Sequence, residues 1–211
     1  VATGEIGKFP KLVLWDANTG VTLRVILFHQ RGISHLRFTS DGNYIISVGM
    51  DLDGTVAIHN CQTGIVTGSG KLGRGVNINV LAVSNSTSFI TGGKFHIKFW
   101  DIASDTGGRV EFSSKGGLFS KDVNSKNVIS AAYLGSDAVT GMSDGTLLLW
   151  KGRSNIKIET AHNGPITSMT SIPSSNSGTT TGSSDTGPRI ISAGCDGHVC
   201  IWNSQLIRVY D

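Results

Sequence analysis

The sequence predicts an all-β fold made of repeated four-stranded antiparallel sheets. Three observations support this prediction: a glycine-rich and charge-poor composition, an alternating apolar run that recurs along the chain, and Asp-Gly dipeptides between neighbouring runs. Gly accounts for 28 of the 211 residues and charged residues for 16%, and Pro occurs only four times. This composition suits short strands joined by tight turns rather than long helices. A hydrophobic content of 38% provides for a packed core and excludes a disordered chain.

Each repeat contains an alternating apolar run that closes on Trp or His. The closing residues are separated by 44, 41, 50 and 52 residues and are Trp15, His59, Trp100, Trp150 and Trp202. Propeller blades recur about every 40 to 45 residues, so the two longer intervals indicate insertions. The Ser-, Thr- and Gly-rich segment 173–188 accounts for most of the last interval, and we interpret it as a flexible loop between the first two strands of its blade.

The interior of each repeat follows a common order. A Ser or Thr, with Gly close behind it, lies about ten residues before the closing residue, and in three repeats a turn with Asp-Gly follows, ending at Gly54, Gly145 and Gly197. Asp-Gly between two alternating runs indicates a hairpin, because the left-handed turn geometry favours Gly. Another short strand lies upstream. Each repeat is therefore expected to form a four-stranded antiparallel sheet, which is the blade of a β-propeller.

These repeats divide the chain into one incomplete blade and four complete ones. The expected limits are 1–28, 29–71, 72–112, 113–160 and 161–211. Residues 1–4 match the second strand of a blade, so we expect nineteen strands, or about four and three-quarter blades. Because propellers close with four to eight blades, the prediction is a propeller fragment that forms an incomplete ring, with the remaining blades missing.

The period, the Ser or Thr, the Asp-Gly turn and the closing Trp together resemble the WD-repeat family across essentially the whole chain. Several segments are more specifically similar to the first of the two tandem propellers of the echinoderm microtubule-associated protein-like family; these are 2–8, 14–16, 32–36, 47–49, 96–100, 150–152 and 161–166. This resemblance implies a seven-bladed ring and a non-enzymatic scaffold that contacts tubulin or microtubules, located in the cytoplasm on the cytoskeleton. The alternative is a WD-repeat scaffold for another protein complex or peptide.

The resemblance also implies a hydrogen-bond network of Trp, Ser or Thr, His and Asp inside each blade. The complete set would be His162, Ser192, Asp196 and Trp202. A second set, lacking its His, would be Thr140, Asp144 and Trp150. A third, in which His59 replaces Trp, would contain His29, Ser47 and Asp53. The blade with Thr91 and Trp100 has neither an Asp turn nor an upstream His.

Two groups of residues could carry chemistry instead. Ser192, His162 and Asp196 are the residue types of a hydrolase triad, which requires an exposed nucleophile and an oxyanion site. Cys195, His198 and Cys200 could form half of a zinc site, but zinc usually takes four ligands from two spaced pairs, and no second pair lies nearby. We therefore expect no catalytic, cofactor-binding or metal-binding residue, no cofactor and no enzymatic activity.

Basic residues mark the candidate contacts with a partner protein. Lys94, His96 and Lys98 alternate, so they would share one face of a strand and form a basic ridge, and Lys151 and Arg153 follow the next closing Trp. The net charge is only +3 and the 18 Lys and Arg are dispersed, so no nucleic-acid partner is expected. No apolar run approaches the roughly 18 residues of a membrane span, so no membrane partner is expected either. The odd set of three cysteines favours reduced, intracellular thiols.

Overall fold

The computed structural model describes residues 1–50, 54–73, 75–85, 87–104, 110–173 and 187–210. This part of the chain contains nineteen β-strands and no helix, so the all-β prediction and the expected number of strands are confirmed. Most of the loop predicted at 173–188 lies outside the described residues, and so does Asp53. Among the residues described, no helix has the length and apolarity needed to cross a membrane.

The strands form five antiparallel sheets whose order follows the chain. Sheet 1 has three strands, β1 (Ala2–Gly4), β2 (Lys11–Trp15) and β3 (Thr22–Leu27). Sheet 2 contains β4 (Ile33–Phe38), β5 (Tyr44–Gly49), β6 (Thr55–Asn60) and β7 (Val66–Lys71). Sheet 3 contains β8 (Ile78–Val83), β9 (Ser88–Gly93), β10 (His96–Ser104) and β11 (Val110–Gly116).

The two remaining sheets are also four-stranded meanders. Sheet 4 contains β12 (Val128–Leu134), β13 (Asp137–Met142), β14 (Thr146–Lys151) and β15 (Ser154–Thr160). Sheet 5 contains β16 (Ile166–Ile172), β17 (Arg189–Gly194), β18 (Val199–Trp202) and β19 (Arg208–Tyr210). Consecutive pairing of this kind is the topology of propeller blades.

The chain divides into two compact units, one of Val1–Phe89 with Trp100–Ser114 and the other of Ile90–Phe99 with Lys115–Asp211. In the first unit, one buried cluster joins sheets 1 and 2 and contains Leu12, Leu14, Ile26, Ile33 and Ile45. A second cluster includes Phe89 and Trp100, whose rings stack with centroids 5.6 Å apart. These clusters bury the apolar residues that alternate along the strands, as the pattern of the sequence predicts.

In the second unit, apolar residues of sheets 4 and 5 form one buried cluster that includes Val139, Leu147, Ile166, Ile190 and Trp202. The central strands β13 and β14 are buried along nearly their whole length. The hairpins that precede β14 and β18 contain Gly145 and Gly197 at φ 87° and 82°. The predicted left-handed glycines of these two turns are therefore confirmed.

Candidate functional site

The same side-chain hydrogen bond links adjacent strands in sheets 1, 4 and 5. In sheet 5 the indole Nε1 of Trp202 donates to Ser192 Oγ at 2.9 Å, and in sheet 4 Trp150 Nε1 donates to Thr140 Oγ1 at 2.9 Å. Strand register explains the contact: Trp202 lies opposite Ile190, so the residue two positions further along β17, Ser192, is its diagonal neighbour on the same face.

Sheet 5 extends this contact into a chain of hydrogen bonds. An indole can only donate, so the Ser192 hydroxyl accepts from Trp202 and gives its own proton to His162 Nε2, 2.8 Å away. His162 Nδ1 then donates to the carboxylate of Asp196 at 3.1 Å. The structure therefore brings together all four residues of the complete set, and Ser192 and His162 are buried.

The Asp196 carboxylate is held by several donors at once. The backbone N–H of Asn163 donates to it at 2.8 Å and that of His198 at 3.1 Å. The hydrogen bond from Asn163 lowers the pKa of Asp196 most, partial burial opposes the shift, and the bonds from His198 and His162 add to it, leaving a pKa of about 2. The carboxylate stays ionised and fixes the orientation of His162.

Sheet 4 lacks the His, and the sulfur of Met142 accepts the hydrogen bond from the hydroxyl instead. The hydroxyl of Thr140, which accepts from Trp150, donates to Met142 Sδ at 3.6 Å. Asp144 is not brought to Thr140, because its carboxylate accepts instead from Thr146 Oγ1 at 2.7 Å and from the backbone N–H of Ser125 at 3.2 Å. Asp144 therefore organises its own turn. Met142 was not identified from the sequence, where no pattern marks a sulfur as an acceptor.

In sheet 2, two histidines are hydrogen-bonded to the same serine hydroxyl. His59 Nε2 lies 2.8 Å and His29 Nε2 2.7 Å from Ser47 Oγ, and all three side chains are buried. His59 Nδ1 is buried without a hydrogen-bond partner. Because an orphaned N–H is costlier than an orphaned lone pair, the proton lies on Nε2, and His59 donates to Ser47 as the indole does elsewhere.

The other end of this network differs from the sequence-based interpretation. His29 Nδ1 lies 3.0 Å from Thr55 Oγ1, a residue that the sequence analysis did not single out. Asp53, expected in this set, lies outside the described residues. Burial, reinforced by the neighbouring His29, lowers the pKa of His59 to about 4, so His59 is neutral at physiological pH.

Sheet 1 has the contact as well, at a partner that the sequence analysis missed. Trp15 Nε1 donates to Thr3 Oγ1 at 2.8 Å, and Trp15 exchanges backbone hydrogen bonds with Val1. Thr3 is thus the diagonal neighbour of Trp15, which makes β1 the counterpart of the second strand of the other sheets. The dipeptide Thr3-Gly4, which matches Thr140-Gly141, was the available signal.

The candidate basic ridge lies at the start of β10. His96 and Lys98 belong to this strand, whereas Lys94 lies just before it and forms a β-bridge with Asn127. His96 is half-buried and lies with its Nε2 3.3 Å from Thr91 Oγ1. Burial, followed by the charge of Lys98, lowers the pKa of His96 to about 4, so this residue adds no positive charge at neutral pH.

The two other basic candidates lie at the hairpin between β14 and β15. Lys151 ends β14, Arg153 belongs to the turn, and both are exposed. The backbone oxygen of Arg153 accepts from the N–H of Leu118 at 2.7 Å. The main chain of the turn is thereby fixed, and both side chains are available to a partner.

The geometry of Ser192, His162 and Asp196 does not suit a hydrolase. A pocket of about 500 Å³ is lined by His162, Asp196, His198 and Arg208 among others, but not by Ser192. The Ser192 hydroxyl is fully buried and already occupied by Trp202 and His162. A nucleophile must reach its substrate, and this hydroxyl does not.

The cysteines of the chain are all free thiols, with Cys195 exposed, Cys200 buried and Cys61 between these extremes. Cys195 lies before the turn that contains Asp196, and Cys200 faces the core cluster of sheets 4 and 5. Within the described part of the chain, no group of three or more His, Cys, Asp or Glu side chains is arranged to hold a metal ion.

Comparison with known families agrees with this architecture. The WD40 family, described as WD domain, G-beta repeat, matches residues 20–60 and 153–203. Together with the five sheets and their Trp contacts, this match shows that the chain is built of WD40 repeats and is a WD-repeat protein-interaction scaffold. The predicted resemblance to WD repeats is confirmed.

The similar proteins include two echinoderm microtubule-associated protein-like proteins and one cilia- and flagella-associated protein. Echinoderm microtubule-associated protein-like 3 of Mus musculus is 30% identical over 156 residues, which are 69% of this chain and 17% of the relative. Echinoderm microtubule-associated protein-like 2 of the same species is 26% identical over 100% of the chain and 32% of the relative. Cilia- and flagella-associated protein 44, also of Mus musculus, is 28% identical over 100% of the chain. The chain spans 11% to 32% of the length of these three relatives.

Proposed function

We propose that this chain acts as a non-enzymatic, microtubule-associated scaffold of the cytoplasm, with tubulin or the microtubule as its partner. The observation that carries the proposal is its similarity to proteins named as microtubule-associated. Two of them match 69% and 100% of the chain, and a third, the 77 kDa echinoderm microtubule-associated protein of Strongylocentrotus purpuratus, is 30% identical over 80% of it.

The buried networks support the non-enzymatic part of the proposal. Ser192, His162 and Asp196 hold sheet 5 together, and each has its hydrogen-bonding groups engaged inside the sheet. An unpaired buried polar group costs about 1–3 kcal/mol, so these residues are accounted for by stability alone. WD40 repeats generally serve as scaffolds, which agrees with that assignment.

Exposed cations supply the candidate contacts. Lys94, Lys151 and Arg153 all lie in hairpin turns or at strand ends and are exposed. Contacts between such charges and an acidic protein are weakened by salt, because the screening length is about 10 Å at 0.1 M ionic strength. A partner held by these side chains would therefore bind more tightly at low salt.

A second candidate function is a WD-repeat scaffold in a different assembly. The observation that favours it is the match of the whole chain to cilia- and flagella-associated protein 44, whose name places that relative in cilia and flagella. In this case the chain would bind a protein or peptide other than tubulin.

Co-sedimentation with microtubules, paired with binding to free tubulin, tests the proposal. We expect the 211-residue chain to pellet with microtubules at low salt and to be released as salt is raised. The variant Lys94→Glu/Lys151→Glu/Arg153→Glu should pellet less. A control, Lys115→Glu/Lys121→Glu, changes exposed lysines elsewhere and should behave as the unmodified chain. Retention by neither microtubules nor tubulin at low salt would contradict the proposal and favour the second candidate.

A further inference from the structure

The turn between β9 and β10 holds a bulky side chain where sheets 2, 4 and 5 have glycine. Phe95 has φ 53°, in the left-handed region, whereas Gly54, Gly145 and Gly197 occupy the corresponding hairpins at φ 53°, 87° and 82°. Gly adopts this conformation freely, but a side chain with a Cβ is disfavoured there. The backbone alone would therefore select Gly at position 95.

Burial does not compensate for this conformation. The side chain of Phe95 is 73% exposed, so the ring gains little from the core. The surrounding main chain nevertheless fixes the turn: the N–H of Phe95 donates to the backbone oxygen of Lys126 at 2.7 Å, and Lys94 forms a β-bridge with Asn127. A strained conformation that is firmly held is characteristic of functional positions.

A positive charge lies beside the exposed ring. Lys94 Nζ lies 5.9 Å from the centroid of Phe95, and the exposed Lys126 is the residue whose backbone oxygen accepts from the Phe95 N–H. Neither ammonium group is paired with a carboxylate within the described residues. The carboxylate of Asp144 accepts from Ser125 and Thr146.

The same construction occurs a second time, in the other unit. Phe9 has φ 55° and is 63% exposed, with Lys8 Nζ 5.3 Å from its ring centroid. Its N–H donates to the backbone oxygen of Gln30 at 3.0 Å. In both cases a Lys-Phe pair ends the turn between the second and third strand positions, and the Phe N–H is bonded to the segment that leads to the next sheet. Two occurrences of an unfavourable arrangement indicate a use for the ring.

We propose that Phe95, Lys94 and Lys126 form a docking surface for an acidic peptide segment of a partner protein, in which the ring contacts an apolar side chain and the two ammonium groups contact carboxylates. The inference rests on the proposed role as an interaction scaffold and names the surface and the chemistry of its partner. A peptide fits better than a nucleic acid, because one aromatic ring and two cations do not form a stacking platform along a charged groove.

Fluorescence anisotropy with a labelled probe tests the surface directly. The probe is a synthetic peptide of Glu and Gly with one central Leu, titrated with the 211-residue chain at low ionic strength. Phe95→Gly should weaken binding roughly tenfold, the order expected when an aromatic anchor is truncated. Its Tm should stay the same or rise, because Gly relieves the turn. Leu118→Ala, at another exposed apolar residue of the same unit, is the matched control.

The charges are tested in the same assay. Lys94→Glu and Lys126→Glu should each weaken binding, while Lys115→Glu, which makes the same change of net charge, should not. A loss of Tm in Phe95→Gly with unchanged peptide binding would overturn the inference, because the ring would then be structural. Tighter binding of a thymidine oligonucleotide that displaces the peptide would overturn it as well.

This test is separable from that of the proposed function. Phe95-dependent binding of the acidic peptide, without retention by microtubules or by free tubulin, would overturn the tubulin assignment and leave the docking surface in place. Microtubule pelleting that is insensitive to Phe95→Gly, together with no peptide binding, would overturn the docking surface and leave the assignment in place.

Discussion

Trp202 and Ser192 are joined by a hydrogen bond of 2.9 Å from the indole Nε1 to the hydroxyl oxygen, and the equivalent bond joins Trp150 to Thr140. Both bonds are buried and both link adjacent strands across a diagonal of the sheet. The Ser or Thr that recurs ten residues before Trp is therefore the acceptor of a buried hydrogen bond, and this bond stabilises the sheet.

Substitution of Asp196 should destabilise sheet 5. In Asp196→Ala the buried His162 loses the acceptor that orients it, and the backbone N–H groups of Asn163 and His198 lose theirs. We expect a lower Tm in thermal unfolding followed by circular dichroism. Asp144→Ala, which removes a carboxylate that reaches no buried histidine, should lower the Tm less. Equal Tm values for Asp196→Ala and the unmodified chain would contradict the network.

The two hairpin glycines should respond differently to the same substitution. A Cβ on Gly145 would lie 2.0 Å from the backbone oxygen of His162, whereas a Cβ on Gly197 would meet nothing within 4 Å. Gly197→Ala therefore has only the left-handed backbone penalty, roughly 1–2 kcal/mol. Gly145→Ala adds a steric clash with main chain and should cost clearly more, as measured by urea denaturation. Similar losses in both variants would show that the clash is relieved.

The value of the Trp contact should depend on its burial. Thr140→Val leaves the buried indole N–H of Trp150 without an acceptor, at a cost of about 1–3 kcal/mol. Thr3→Val removes the same bond from Trp15 in an exposed position, where water replaces the lost acceptor. We expect a loss of well under about 1 kcal/mol for Thr3→Val. Chemical denaturation of both variants measures the difference, and a larger loss at Thr3 would refute this ranking.

His59 should make sheet 2 sensitive to acid. Its pKa is lowered from 6.5 to about 4 in the folded chain, so the unfolded chain binds the proton more tightly. The corresponding stability is complete above about pH 6.5 and is lost as the pH falls towards 4, on the order of 3 kcal/mol in all. His59→Phe should flatten this part of the pH profile of unfolding. Superimposable pH profiles would contradict the prediction.

The repeat pattern was sufficient to predict the fold because it is set by local chemistry. The alternation of apolar residues, the Gly at the turns and the Trp spacing each involve residues within about ten positions of one another. These local patterns determine where the strands and turns of each sheet form. Thr3, Thr55 and Met142 were missed because their roles depend on which side chain lies diagonally across a strand or next to a buried hydroxyl. An Asp or His at fixed spacing does not indicate that Thr55 or Met142, with different side-chain chemistry, fills the same hydrogen-bonding role.

The environment of the charged candidates could not be predicted from the sequence as the fold was. Alternation predicts Lys94, His96 and Lys98 on one face, but only His96 and Lys98 belong to β10, and Lys94 forms a β-bridge with Asn127. The neutral state of His96 depends on its burial beside Thr91, which spacing alone does not reveal. Phe95 was not singled out from the sequence, because only its exposure and its backbone conformation distinguish it from other apolar residues.

The hydrogen bond from the Phe95 amide to Lys126 has a mechanical consequence. Lys126 lies in the segment that leads into β12, so the tip of the hairpin in sheet 3 is fastened to the start of sheet 4. A ligand bound to the Phe95 ring would therefore contact a residue whose main chain is hydrogen-bonded to the neighbouring sheet. Exchange of the Phe95 amide proton with solvent requires this bond to open, so the exchange rate measures how often the two sheets separate at this point.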